Sequence, residues 1–264
     1  MFMGRGALIT AACVTAVGRF PEVVMEDLAF SVEARRAGQR IVWAPEALSS
    51  EDYPIDYAAF RKQQSKFAQG SAEFLRRYLG RVLVSPIRVR EKVDLLLDCL
   101  ATPVSSGLAI ALFLVNLLPT GPYGLGFLPQ QEAIALGLCG AAPLLPEAVR
   151  TFRRRGFLRA VVFFVQASAL YTSTLWLTLS SMVRVAAGGR ARFVITPKLR
   201  GRSSVLSLLR EVLVAVVAVT LAFVVAHGPG AAMVFVMMTA AAIWMHLLDR
   251  RGDRATPEDD ARSA

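Results

Sequence analysis

The sequence predicts a chain in two parts, a partial α/β domain over residues 1–92 and an α-helical transmembrane domain of about four spans over residues 93–252. Of its 264 residues, 55% are hydrophobic and 19% are charged, and the mean hydropathy is +0.48. Three long stretches contain no lysine or arginine: Lys92 to Arg150, Arg159 to Arg184, and Arg210 to Arg250. Uncharged runs of about 20 residues match the ~30 Å hydrocarbon core of a bilayer.

The first part combines a strand candidate with two helices. Arg40–Ala44, which precedes Pro45, has the β-branched and aromatic content of a short strand. Glu26–Ala37 has apolar residues at helical spacing, carboxylates in its first turn and Gly38 as the stop. A longer helix is expected from Asp56, a good N-cap, to about Tyr78.

That longer helix carries four aromatic residues at spacings of seven, seven and four, which are Phe60, Phe67, Phe74 and Tyr78. This spacing places them near one face. The face is therefore expected to be apolar and to contribute to a core.

The second part contains five apolar segments, which are Asp94–Leu118, Gly124–Leu145, Phe157–Val183, Leu213–Val225 and Ala231–Leu248. If Phe157–Val183 crosses the bilayer there are five spans, and the basic loops on either side of it lie on opposite faces. The positive-inside rule disfavours that arrangement. We therefore expect four spans, with Phe157–Val183 lying at the cytoplasmic interface or packing against the other helices. We also expect a cytoplasmic loop over residues 184–203 and a disordered polar tail over residues 253–264.

Charge and cysteine content exclude several classes of function. The net charge of +10 could attract nucleic acid, but the basic residues lie where cytoplasmic membrane loops are expected, so no nucleic-acid partner is predicted. The three cysteines are odd in number and form no C-x-x-C pair. Arg5 followed by apolar Ala7–Val17 has the pattern of a short signal sequence, but no cleavage-site pattern follows it.

Three short motifs occur in order along the chain. Met25-Glu26-Asp27-Leu28 opens the first helix, Gln63-Gln64-Ser65-Lys66-Phe67 lies on the second, and Phe193-Val194-Ile195-Thr196-Pro197-Lys198 lies in the basic loop. Together they resemble the ED, Q-x-x-R-W and F-x-V-T-x-K motifs of processive family 2 glycosyltransferases of the cellulose-synthase-like group. The resemblance covers roughly residues 2–201.

The resemblance implies the C-terminal, acceptor-side half of a GT-A-type catalytic domain at the cytoplasmic face of the cell membrane. It makes Asp27 the general base and assigns Glu26, Gln63, Lys66 and Phe67 to substrate binding. An inverting transfer needs a base for the acceptor hydroxyl. The alternative for Glu26 and Asp27 is that they only favour a helix N-terminus electrostatically.

The second motif departs from the family pattern, with Lys66 in place of arginine and Phe67 in place of tryptophan. Lysine keeps the charge but loses the bidentate fork, and phenylalanine keeps a ring face without the N–H. Phe67 could equally be part of the apolar stripe of its helix. The third motif implies a gating loop in which Phe193, Thr196 and Lys198 close on the nucleotide; the alternative is an ordinary basic connector.

The family's nucleotide-binding aspartate and metal-binding D-x-D are missing from this sequence. Mg²⁺ or Mn²⁺ is expected for the complete enzyme, but no metal ligand is assigned here. We therefore expect a fragment that works with a separate N-terminal half. Its partners would be the bilayer, a nucleotide-sugar donor and a growing polysaccharide, to which it adds a hexose with coupled translocation. The alternative is a non-catalytic membrane protein, either a decayed synthase or an accessory subunit.

Overall fold

The computed structural model describes residues 7–42, 44, 53–100, 104, 107, 144–193, 208–226 and 233–254. They belong to two compact units. The first unit is Met1–Val104 with Leu177–Gly201, and the second unit is Ser105–Trp176 with Arg202–Ala264. The bounded helices are α1 (Ala11–Val17), α2 (Glu26–Arg36), α3 (Tyr57–Val84), α4 (Leu145–Arg155), α5 (Phe157–Thr172), α6 (Leu175–Ala186), α7 (Leu209–Ala226) and α8 (Met233–Arg254). Residues 89–100 are helical as well.

Local sequence signals explain the bounds of α2 and α3. Helix α2 begins at Glu26, as predicted, and Gly38 just after it has a φ of 76°, which glycine adopts without strain. Asp56 caps α3, because its Oδ1 accepts a hydrogen bond of 2.6 Å from the Ala59 N–H. The helix continues past the predicted end at Tyr78 and stops before Ser85, the residue that precedes Pro86.

The strand predicted at Arg40–Ala44 is wrong for the residues described there. Arg40–Val42 and Ala44 have no regular secondary structure, and no strand occurs elsewhere in the described parts of the chain. A strand is stable only when its backbone N–H and C=O groups pair with a neighbour. The described residues of the first unit provide helices and no such neighbour.

The core of the first unit lies between α2, α3 and the helical residues 89–100. Its buried members are Leu28, Ala29, Val32, Phe74, Tyr78, Val82, Ile87, Leu95 and Cys99. The rings of Phe74 and Tyr78 stack with centroids 5.4 Å apart, and burial raises the pKa of the Tyr78 phenol. Phe67 is 39% exposed and does not belong to this core. The predicted aromatic stripe is therefore core only in its second half, where neighbouring helices cover it.

The second unit packs through small residues. Ala215, Ala218 and Ala222 of α7 contact Phe235 and Met238 of α8. The Thr239 hydroxyl of α8 donates a hydrogen bond of 3.0 Å to the Glu211 carbonyl of α7. Alanine at spacings of three and four lets two helices approach closely, as in membrane helix pairs.

One helical stretch in the described residues, Phe157–Ala186, is long and apolar enough to cross a membrane, with 30 residues and a mean hydropathy of 1.5 over an 18-residue window. It is interrupted where the Ser173 and Thr174 hydroxyls donate hydrogen bonds to the carbonyls of Leu170 and Tyr171. Length and composition do not separate a span from a helix lying at the interface, so this segment's position stays a prediction.

The structure provides less information on the other predicted spans. Phe235–Asp249 is apolar but shorter, and most of Asp94–Leu118 and Gly124–Leu145 lies outside the described residues. The count of four spans therefore stays a prediction. Helix α8 continues to Arg254, so the first two residues of the predicted polar tail are helical; residues 255–264 are outside the description.

Candidate functional site

The middle of α3 is where the sequence motifs meet. Gln69, Gly70 and Glu73 come three, four and seven residues after Lys66 on this helix. Residues with this spacing lie on one face of a helix. Each of the four contacts a segment that comes from elsewhere in the first unit.

Lys66 lies between two aromatic rings. Its Nζ is 5.5 Å from the ring centroid of Phe67 and 4.9 Å from that of Phe193. Phe67 and Phe193 are 39% and 60% exposed, so both rings are accessible. A cation within about 6 Å of a ring face is attracted to it. The arrangement joins the second predicted motif to the first residue of the third.

Gln69 connects α3 to the segment that enters the basic loop. Its Oε1 accepts a hydrogen bond of 3.3 Å from the Arg192 backbone N–H. Its Nε2 donates to the Ser65 Oγ at 3.1 Å, and that oxygen lies 2.8 Å from the Ser181 Oγ of α6. Gln69 is buried, and its two hydrogen bonds are partly buried. They hold the backbone before Phe193 against α3.

Gly70 and Glu73 hold the start of α2. A Cβ at Gly70 would lie 2.7 Å from the Met25 Cγ and 3.1 Å from the Val24 Cγ1, so glycine permits this close approach. The Glu73 Oε2 accepts a hydrogen bond of 3.0 Å from the Val24 N–H. Gly70 is one turn beyond Lys66, about 6 Å along the helix axis. The segment leading to Glu26 and Asp27 therefore packs beside the Lys66 site.

Glu26 and Asp27 form the first turn of α2 and are both partly buried. Neither carboxylate has a hydrogen bond or an ion pair with another described residue. The positive end of the helix dipole stabilises carboxylates at this position. This position is compatible both with a base and with the electrostatic alternative.

Of the remaining predicted site residues, the structure describes one and leaves two outside the described ranges. Gln63 lies on α3, one turn before Phe67, and is partly buried. Thr196 and Lys198 lie outside the described residues. The structure thus brings Met25 of the first motif and Phe193 of the third to the stretch of α3 that carries Lys66 and Phe67, while the roles of the predicted site residues stay predictions.

Sequence reasoning missed Gln69, Gly70 and Glu73. A signal was present: polar residues and a glycine follow Lys66 on the same helical face, where an ordinary amphipathic helix would place apolar residues. Their partners, Arg192, Met25 and Val24, are 45 to 123 residues away in sequence. No local pattern identifies contacts at that separation.

The described residues do not fit a metal ion. Among them, no three His, Cys, Asp or Glu side chains come together as possible ligands. No chemical step at this site is therefore assigned to a metal held by these residues.

Comparison with known proteins gives one match. The family model described as glycosyl transferase family group 2 matches residues 1–247, which is most of the chain. No curated protein matches, and no solved structure matches.

Proposed function

Because the chain belongs to the glycosyl transferase family group 2, we propose that it transfers a hexose from a nucleotide-sugar to a growing polysaccharide. The finer assignment, to the processive cellulose-synthase-like group, is part of this proposal. So are an inverting reaction, translocation of the product and a multi-pass location in the cell membrane with the catalytic part in the cytoplasm.

The observation that carries the proposal is the meeting of the motifs on α3. The start of α2 packs at Gly70, and Phe193 lies over Lys66 one turn away. These segments are far apart in sequence, and only the fold of the first unit brings them together.

In this proposal Asp27 is the base. The acceptor hydroxyl attacks the anomeric carbon, the bond from that carbon to the diphosphate oxygen breaks, and the nucleoside diphosphate leaves with its electron pair. The hydroxyl proton goes to the Asp27 carboxylate. A positioned base contributes ~10²–10⁴-fold to such a step.

Lys66, Phe67 and Phe193 would position the acceptor sugar and the leaving group. An exposed ring offers a flat apolar face to a sugar ring. The ammonium group beside it attracts the charge that develops on the diphosphate. Gln63 and Glu26 would bind substrate hydroxyls, and Thr196 and Lys198 would close on the nucleotide. The donor's nucleotide would be held by a separate N-terminal half.

The test replaces Asp27 by asparagine in the gene of the source cell. Membranes are then assayed for incorporation of labelled hexose from nucleotide-sugars into polymer. Asn keeps the size of the side chain but cannot take the proton, so transfer should fall ~10²–10⁴-fold while the amount of membrane-bound chain is unchanged.

Glu22→Gln is the matched control. It removes one negative charge five residues earlier. Among the described residues, the backbone carbonyl of Glu22 accepts a hydrogen bond from Arg77 and its carboxylate has no ion-pair partner. Transfer should stay near the wild-type rate in this variant. If Asp27→Asn keeps more than about a tenth of the rate, Asp27 is not the base. If deleting the whole chain changes no transfer, the protein is non-catalytic.

A further inference from the structure

Helix α4 has an amphipathic arrangement outside the candidate site. At about 100° per residue, Leu145, Val149 and Phe152 fall within one narrow arc of its surface. They are 46%, 47% and 51% exposed, so the described residues leave about half of each side chain on this apolar face uncovered. The basic residues of the helix, which are Arg150, Arg153, Arg154 and Arg155, lie on its other faces and at the two borders of the apolar arc.

Among the described residues, only one of these four arginines has an ion-pair partner. Arg150 forms an ion pair of 3.2 Å with Glu147. For Arg153, Arg154 and Arg155 no ion pair with a described residue is present. The helix dipole favours positive charge in the last turn of a helix. This effect alone does not explain why three arginines lie beside a partly exposed apolar face.

A groove joins the two kinds of surface. It has a volume of about 370 Å³ and is lined by Pro146, Val149, Arg150, Arg153 and Arg154. Guanidinium groups bind phosphate through paired N–H donors, and the apolar residues beside them fit a hydrocarbon chain. The groove therefore has both parts of an amphiphile's binding site.

The chain turns sharply at the end of α4. Gly156 has a φ of 86°, and its N–H donates to the Phe152 carbonyl at 3.0 Å. The Phe152 and Phe157 rings then meet edge to face, with centroids 6.5 Å apart. The exposed Phe157 and Leu158 of α5 extend the apolar surface of α4. The turn thus adds apolar area next to the basic groove.

We infer that α4 lies in the plane of the membrane surface and binds an anionic phospholipid. The apolar arc enters the boundary between headgroups and acyl chains, as such helices do. Arg150, Arg153 and Arg154 bind the headgroup phosphate in the groove. Charge complementarity selects a lipid over a protein partner, because the arc is bordered by arginines on both sides. The inference rests on the proposed membrane location and not on sugar transfer.

The test measures the depth of α4 in vesicles. The native cysteines of the full chain are replaced by alanine, and one cysteine is placed at Val149 and labelled with a fluorophore. The chain is reconstituted into vesicles of phosphatidylcholine alone, or with roughly one-third phosphatidylglycerol, each carrying brominated acyl chains as quenchers. A second version carries the label at Val217, an exposed residue of α7 in the second unit.

We expect the Val149 label to be quenched strongly in the anionic vesicles and weakly in the neutral ones. Arg153→Gln with Arg154→Gln should lower the ratio of docked to undocked α4 roughly thirtyfold, since each arginine near an anionic surface is worth roughly fivefold. The control is Arg88→Gln with Arg90→Gln, which removes the same charge from exposed residues of the first unit. This control should change nothing.

Each outcome decides one point. If the label at position 217 is quenched and the label at position 149 is not, the chain is inserted in the bilayer but α4 does not enter it, and the inference about α4 is wrong. If Val149 is quenched equally in both kinds of vesicle and the Arg153 and Arg154 changes have no effect, α4 contacts lipid without recognising a phosphate headgroup, which also overturns it. If neither label is quenched, the proposed membrane location itself fails.

Discussion

The contacts inside the first unit differ in kind from those inside the second unit. In the first unit, polar side chains form hydrogen bonds between elements: the buried Glu73 with the Val24 N–H, the buried Gln69 with the Arg192 N–H, and the exposed Arg76 with the Val185 carbonyl. In the second unit, α7 and α8 meet mainly through alanines and apolar side chains. Polar contacts fix particular atoms at particular distances, whereas small-residue packing fixes only how closely two helices approach.

This difference corresponds to what each unit is proposed to do. A site that moves a proton or binds a diphosphate needs its groups held within a fraction of an ångström. A bundle of membrane helices needs close packing without exposed polar groups. If this account is right, substitutions in the first unit should act through single hydrogen bonds, and those in the second unit through volume.

The largest effect in the first unit is expected from Glu73→Ala. It removes a buried carboxylate that accepts from the Val24 N–H at 3.0 Å and pairs with Arg77 at 3.3 Å. Losing a hydrogen bond to a charged group costs about 1.5–3 kcal/mol. We expect a lower free energy of unfolding in detergent and faster hydrogen exchange at the Val24 amide, while α7 and α8 are unaffected.

Glu73→Gln is the control for that effect. Its amide oxygen can still accept from Val24, and only the ion pair with Arg77 is lost. Arg77 is half exposed, and exposed ion pairs contribute little. If the Gln and Ala variants are equally destabilised, the charge rather than the hydrogen bond holds the start of α2.

A somewhat smaller effect is expected in the second unit from Ala222→Leu. Ala222 is fully buried in the cluster with Phe235 and Met238, so a larger side chain forces the helices apart at a cost of about 1–3 kcal/mol. Val224→Leu adds volume at an exposed position of the same helix and should be neutral. Thermal unfolding in detergent, followed by circular dichroism, compares them. Equal stability of both variants would mean that close packing does not hold this unit.

The sequence was most informative about features that depend on residues close to one another along the chain. The start of α2 at Glu26 and the Asp56 cap of α3 were predicted because capping and periodicity act within one or two turns. The Arg40–Ala44 strand was not observed, because strand formation depends on a partner that sequence alone does not place. The exposure of Phe67 was not predicted, since its spacing matched that of the buried Phe74.

The candidate site shows the same limit. The motif residues could be named in order, but their meeting on α3 could not be derived from order alone. Lys66 and Phe193 are separated by more than a hundred residues, and the chain between them includes part of the second unit. Only the fold shows that Gln69 links them.

The smallest effect, and the most specific one, is expected at Gln69. Gln69→Met keeps the length of the side chain but removes the acceptor for the Arg192 N–H, a neutral hydrogen bond worth about 0.5–1.5 kcal/mol. Hydrogen exchange at the Arg192 amide should therefore accelerate roughly two- to tenfold. Sugar transfer should fall by a similar factor if this bond positions Phe193.

The Gln69→Glu variant tests whether the side chain at this position acts as a hydrogen-bond acceptor. A carboxylate oxygen in Gln69→Glu can accept from Arg192, and the Ser65 hydroxyl can donate to the other oxygen, so exchange and transfer should return towards wild-type values. Arg76→Met removes a different contact between α3 and α6, the 2.8 Å bond to the Val185 carbonyl, and should leave the Arg192 amide unchanged. If Arg76→Met accelerates exchange at Arg192 and Gln69→Met does not, the segment is held by its attachment to α6. The polar contact at Gln69 would then have no part in placing Phe193 over Lys66.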